Sequence, residues 1–126
     1  MSNKQETTFK DRIKPLIAAL PQTHVEKIQQ VAIIGTSDLH VCCNSYFIAL
    51  ELKKDLKSEI SKLQIFKLKK VYAAGGVALI VSPETWELIY DRIKSLAYGK
   101  PSKESCYSIL RSVSRAQLFT INPKTE

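Results

Sequence analysis

One stretch limits the folding options of this chain more than any other, the run from Asp38 to Lys53. Residues 39–43 (Leu-His-Val-Cys-Cys) and 46–52 (Tyr-Phe-Ile-Ala-Leu-Glu-Leu) are rich in β-branched and aromatic residues. Asn44-Ser45 between them suits a tight turn, so the run reads as a β-hairpin. A two-residue loop sets Cys43 opposite Tyr46 and Asp38 opposite Glu51, with opposed Cβ atoms about 4.5–5.5 Å apart. Lys53 lies two residues beyond Glu51 and shares its face. A four-residue loop starting one position later would pair Asp38 differently, so everything drawn from this face depends on the register.

Two carboxylates placed opposite each other repel, which a sheet does not adopt for stability. A divalent cation between them converts the repulsion into binding, and hard oxygen ligands at this spacing suit Mg²⁺. Lys53 is then placed to orient or deprotonate an attacking water and to stabilise charge on a phosphate. On one sheet face the same three side chains are more often a solvated ion-pair cluster, worth about 0–1 kcal/mol per exposed pair. Register alone does not choose between the two.

Charge bears on the choice. The chain of 126 residues carries a net charge of +7. Seven lysines (53, 54, 57, 62, 67, 69 and 70) face only Asp55 and Glu59 between Lys53 and Lys70. A basic stretch that begins at the proposed metal site suits a polyanion such as DNA, although a solubilising helix face has the same composition. Lys54, Lys57, Lys67 and Lys70 are the candidate phosphate contacts, joined by Arg111 and Arg115, which are four apart and expected on one exposed helix face.

Other function classes receive no support. The longest apolar run, Val77–Val81, is far short of the roughly 20 residues that span a bilayer, and Met1–Glu6 lacks the apolar core of a signal peptide. The three cysteines form no C-x-x-C; Cys42 and Cys43 point to opposite strand faces and have no zinc partner at a familiar spacing. A reduced, cytoplasmic protein without membrane contact is expected. Gly75-Gly76 lacks the pattern of a phosphate-binding loop.

Along the chain, residues 5–20 carry Phe9, Ile13, Leu16, Ile17 and Leu20 on one helical stripe, with Pro15 expected to kink or divide the helix. Glu6 belongs to the same stripe, either as an acid in the first turn or as a third carboxylate for the site. Thr23-x-x-Glu26 could open a helix, but Val31–Ile34 before Gly35 reads better as a buried strand, and His24 as an exposed loop residue. His40 shares the face of Asp38, where packing is its simplest role. Ser58 is the expected N-cap of a helix running to about Ala74. Its inward arc would hold Ile60, Leu63, Gln64, Lys67, Leu68 and Val71, which aims Gln64 and Lys67 at the sheet or at the site. Val77–Val81 reads as an internal strand. Ser82-Pro83 starts a helix with a Trp86, Ile89, Tyr90, Ile93 and Leu96 stripe, ended by Gly99-Lys100-Pro101. A short helix through Cys106, Ile109, Leu110 and Val113 and a strand over Gln117–Ile121 would complete the chain.

The order helix, strand, hairpin, helix, strand, helix, with Gly35-x-x-Asp38, twelve residues and Glu51-x-Lys53, resembles the PD-(D/E)XK nuclease superfamily. The next helix, with Gln64 and Gly75-Gly76 ahead of Val77–Val81 and Ser82, is similar to the small stand-alone VRR-NUC domains, which resemble Holliday junction resolvases and are often encoded by phages. Ser37 stands where the superfamily usually has proline, and the arginine that names the VRR group is absent after Val77–Val81. The resemblance covers roughly residues 5–95. It implies an α/β fold with a restriction-endonuclease-like core, a central mixed β-sheet flanked by helices, in one nuclease domain over residues 1–126 with a C-terminal extension from about 100.

The resemblance also implies roles. Asp38 and Glu51 would be Mg²⁺ ligands with the Leu52 backbone carbonyl as a third, Lys53 the catalytic lysine, Gln64 the helix glutamine and Glu6 the acid of the first helix. Mn²⁺ would be an alternative metal. The expected activity is metal-dependent endonucleolytic hydrolysis of branched DNA by a homodimer, in a bacterial cell or a phage-infected host. The competing expectation is a non-catalytic nucleic-acid-binding module on a nuclease fold.

Overall fold

A computed structural model describes residues 3–28 and 38–121, with side chains from Phe9 onward. The elements follow the order α1 (Asn3–Ala18), β1 (Thr23–Lys27), β2 (Leu39–Cys43), β3 (Tyr46–Leu52), α2 (Lys62–Ala73), β4 (Val77–Val81), α3 (Pro83–Tyr98) and α4 (Lys103–Thr120). They form an α/β fold around an open, mixed four-stranded sheet in the order β1-β2-β3-β4. The first three strands are antiparallel, and β4 returns parallel to β3 after the α2 crossover. Among the described residues, no helix is long and apolar enough to cross a membrane.

The hairpin has the two-residue loop and the register expected of it: Cys43 pairs with Tyr46 and Leu39 with Leu50. Asn44 and Ser45 both have positive φ, 48° and 84°, as a two-residue hairpin turn with the twist of its strands requires. The ladder ends at Leu39: the Asp38 amide donates at 3.0 Å to the carbonyl of Leu50, which already pairs with Leu39, so Asp38 is not paired opposite Glu51 as the two-residue loop predicted.

Residues 48–52 of β3 are all buried, because both faces of this strand are covered. One face packs Leu39, Val41, Ile48, Leu50, Leu79 and Val81 against Phe9, Ile13 and Ile17 of α1 and Ile89, Ile93 and Leu96 of α3. Fully burying each such side chain contributes about 1.5–3 kcal/mol. On the opposite face, Ala49 and Ala78 leave room for Ile65 and Leu68 of α2 and Leu118 of α4. Trp86 is buried in the first layer, edge-on to Phe9 with ring centroids 6.4 Å apart.

Several expectations are corrected. Pro15 does not divide α1: the helix runs through it, and Pro15 and Asp11, whose carbonyl loses its donor, both lie on the exposed side where water can replace the bond. Leu16 is exposed rather than part of the inward stripe. Thr23–Lys27 forms neither a helix nor a loop but strand β1, which carries His24 on its exposed side. The strand expected at Val31–Ile34 lies outside the described residues.

Helix α2 starts later than Ser58, which instead closes a turn with Asp55, its hydroxyl donating to Asp55 Oδ1 at 3.1 Å. Ser61 is the N-cap and forms a capping box with Gln64: Gln64 N–H donates to Ser61 Oγ, and Ser61 N–H to Gln64 Oε1, each at 3.1 Å. This start turns the inward arc so that Ile65 is buried and Leu63 exposed.

Strand β4 is at the edge of the sheet among the described residues, not internal. Its free backbone is occupied by α4. Ser114 Oγ accepts from Ala78 N–H at 3.1 Å and donates to Ala78 C=O at 2.6 Å. Gln117 does the same at Ile80, at 2.8 and 2.9 Å. Two side chains thus stand in for a fifth strand. The strand expected over Gln117–Ile121 is therefore helix, capped at Ser102, with Cys106, Leu110, Ser114 and Leu118 buried at four-residue spacing.

Candidate active site

Asp38, Glu51, Lys53 and Gln64 converge where β2 starts, β3 ends and α2 begins. Extended backbone sends the N–H and C=O of one residue to the same side of a strand. Lys53 N–H donates to Val81 C=O in β4 at 2.7 Å, so Leu52, one residue earlier, turns both its groups toward β2. Its N–H donates to Asp38 Oδ2 at 2.8 Å, which places its carbonyl on the side of Asp38. Asp38 Oδ1 lies 3.5 Å from Lys10 Nζ of α1.

Glu51 is only 4% exposed. Its Oε2 accepts from Gln64 Nε2 at 2.8 Å and lies 3.5 Å from Lys53 Nζ. Lys53 Nζ also donates to Gln64 Oε1 at 3.5 Å. Gln64 therefore has two tasks, closing the N-terminus of α2 and holding the acid and the lysine in one cluster. Glu51 Oε1 is buried with no hydrogen-bond partner among the described residues. Burial first, and then the negative charge of Asp38, push the Glu51 carboxyl up to about 7 against the opposing pull of Lys53 and Lys10.

Two clefts adjoin this cluster, one at Asp38 and one at Lys53. Asp38 and Leu52 line one of about 340 Å³, whose wall carries Lys10, Lys14 and Lys27. Lys53 lines another of about 280 Å³, with Asp55, Ser58, Ser82 and Thr85. Lys10, Lys14 and Lys27 are the residues that sequence reasoning missed. Lys10 directly follows the buried Phe9, and a cation beside an inward stripe was the one available signal; only packing of α1 across the sheet brings it to Asp38.

The other candidates are more dispersed. Lys54 and Lys67 are half-buried, and Lys57 and Lys70 exposed. Arg111 and Arg115 do not share an exposed face. Arg115 is exposed, but Arg111 donates to the carbonyls of Tyr72 and Gly76 and stacks 3.7 Å from the Tyr72 ring centroid. This ties α4 to the α2–β4 junction. His40 packs edge-on against Phe47 at 5.2 Å. The Glu6 side chain lies outside the described residues.

No group of three or more His, Cys, Asp and Glu side chains gathers around a metal position among the described residues. Asp38 and Glu51 remain as a pair, and their environment fits a hard divalent cation. Mg²⁺ commonly takes one or two carboxylates and keeps several waters. An unpartnered buried carboxylate oxygen is costly unless a cation or donor reaches it. With the Leu52 carbonyl on the side of Asp38, three oxygen donors are at hand. No family model, no curated protein and no solved structure matches this chain.

Proposed function

We propose that this protein is a metal-dependent DNA endonuclease with a PD-(D/E)XK-type core, selective for branched DNA and acting as a homodimer. The observation that carries the reading is the buried Glu51, clamped by Gln64 and Lys53 beside Asp38, with one oxygen unpartnered among the described residues. Structural ion pairs do not need an orphaned carboxylate oxygen; a cation-binding site does.

Asp38, Glu51 and the Leu52 carbonyl would hold Mg²⁺ or Mn²⁺. The chemistry such a cation supplies is charge neutralisation at phosphorus and a nucleophilic water at neutral pH. Gln64 fixes the Glu51 side chain by its 2.8 Å bond, so the ligand is pre-positioned. Lys53 Nζ presents a positive charge where the non-bridging phosphate oxygens gain charge. Water oxygen bonds to phosphorus and releases a proton to solvent, one bridging P–O bond breaks, and the departing oxygen takes up a proton from solvent. Lys10, Lys14 and Lys27 beside Asp38 supply positive charge along which a phosphate backbone can run, with Lys54 and Lys57 following Lys53 in the chain as further candidate contacts.

Labelled four-way junction, flap, linear duplex and single-stranded DNA, each with Mg²⁺ and with EDTA, test the reading beside Glu51→Ala. Metal-dependent paired nicks at the junction, lost in the variant, are expected. Binding of all four substrates without any cut would replace the enzyme with a non-catalytic nucleic-acid-binding module.

A further inference from the structure

Away from the acid cluster, α2 and α4 lie side by side and turn an unusual combination of residues to solvent. Phe66 is 55% exposed and Phe119 56%. Each ring carries a lysine: Lys70 Nζ is 5.3 Å from the Phe66 centroid and Lys69 Nζ 4.7 Å from that of Phe119. Tyr72 links the two helices, 5.8 Å from Phe119 and under the Arg111 guanidinium. Helix α2 contains four lysines and no acid, and in α4 the only acid is Glu104, in the first turn. Rings and cations thus alternate along a strip with no opposing charge from either helix.

An apolar protein surface would cover the rings but would strip water from cations that neither helix pairs with an acid among the described residues, at a cost of several kcal/mol per ion. A DNA duplex would satisfy the cations but offers no free base face. Unpaired nucleotides satisfy both, since phosphates meet lysine while the base stacks on a ring and tolerates any sequence. We propose that Phe66 and Phe119, with Lys69 and Lys70, form a stacking platform for the unpaired nucleotides of branched DNA. The platform rests on the nuclease reading for its place in a reaction, but it acts without the metal and is read separately.

The probe is a labelled oligothymidylate of about 20 nucleotides against a duplex of equal length, both in EDTA. Phe66→Ala and Phe119→Ala are each expected to weaken single-strand binding about 5- to 150-fold, the range of one base–ring stack, and to leave duplex binding unchanged. Lys69→Ala and Lys70→Ala should weaken both and flatten the single-strand salt dependence by about 0.7 per contact. In Phe66→Trp the new indole should be quenched by the oligonucleotide beyond any change at Trp86. An unquenched indole, or Ala variants that bind the single strand as tightly as the wild type, would overturn the platform. So would Ala variants that shift the sedimenting species without altering DNA affinity, which would assign the strip to a second copy of the chain. Because the assay contains no metal, a protein that never cuts DNA can still pass it, and an active nuclease can fail it.

Discussion

A carboxylate on a sheet face is ordinarily solvated and cheap, so the environment of Glu51 has measurable consequences. Its folded value of about 7 exceeds the ordinary 4.5, which means the fold favours the protonated form. A raised value contributes stability that is complete below about 4.5 and is lost as pH rises to about 7. The span is worth about 3 kcal/mol at 1.36 kcal/mol per unit. In EDTA, the wild type should therefore lose denaturant resistance between pH 5 and pH 8, roughly the window of this titration. Glu51→Gln, an isostere of the neutral acid, should be the more stable protein at pH 8 by up to about 3 kcal/mol and match the wild type near pH 4. A variant less stable at pH 8 would mean that Glu51 is a well-compensated ion pair. Mg²⁺ should close most of that gap: at about 100 times its dissociation constant it stabilises by about 2.7 kcal/mol any fold that binds it, and Glu51→Gln should not respond. Thermal melts with Mg²⁺ or EDTA, at pH 5 and 8, measure both.

At the scale of elements, legibility divides by the range of the interactions. The hairpin register was readable because its signals are local: alternating side chains, a two-residue loop, and Asn44 at a left-handed position. Gln64 is readable as an inward polar residue, whereas the Ser61 capping box that fixes it competes with Ser58, an equally suitable N-cap residue three positions earlier. What escaped was tertiary. Whether Gln117–Ile121 is strand or helix turns on Ser114 and Gln117 facing the free edge of β4, and no local pattern states that a helix will stand in for a strand. Arg111 looked like a phosphate contact because the Tyr72 ring and carbonyl that engage it lie 39 positions away. Edge backbone deprived of partners costs about 1–3 kcal/mol per group, and both an N–H and a C=O are at stake at Ile80. Gln117→Leu should therefore lower stability by about 2–6 kcal/mol and release the Ile80 amide to rapid hydrogen exchange. Slow exchange at Ile80 in that variant would show that burial alone protects the edge. Ser61→Ala should cost about 1 kcal/mol and also loosen Gln64 from Glu51, so its effect on cleavage should exceed its effect on folding.

For the whole molecule, the proposed nuclease function makes the assembly depend on how many acid clusters one DNA branch meets. Symmetric cutting of a four-way junction needs two reacting centres related by a twofold axis, and a chain with one such cluster supplies them only as a closed pair. Mixing variants tests this without knowledge of the interface. Glu51→Gln keeps the shape and the basic surface, so it should exchange freely with the wild type while contributing a dead centre. With equal amounts and full exchange, about a quarter of the pairs retain two working centres and about half retain one. Bilateral cutting within a single encounter should accordingly fall to about a quarter, while singly nicked junctions accumulate. If each chain acts alone, bilateral and single cuts would decline together as the active protein is diluted, and no nicked intermediate would build up. Resolving the two strands of a covalently closed junction substrate on a denaturing gel distinguishes these outcomes. The accumulation of nicked product is the sign that two chains share one branch point.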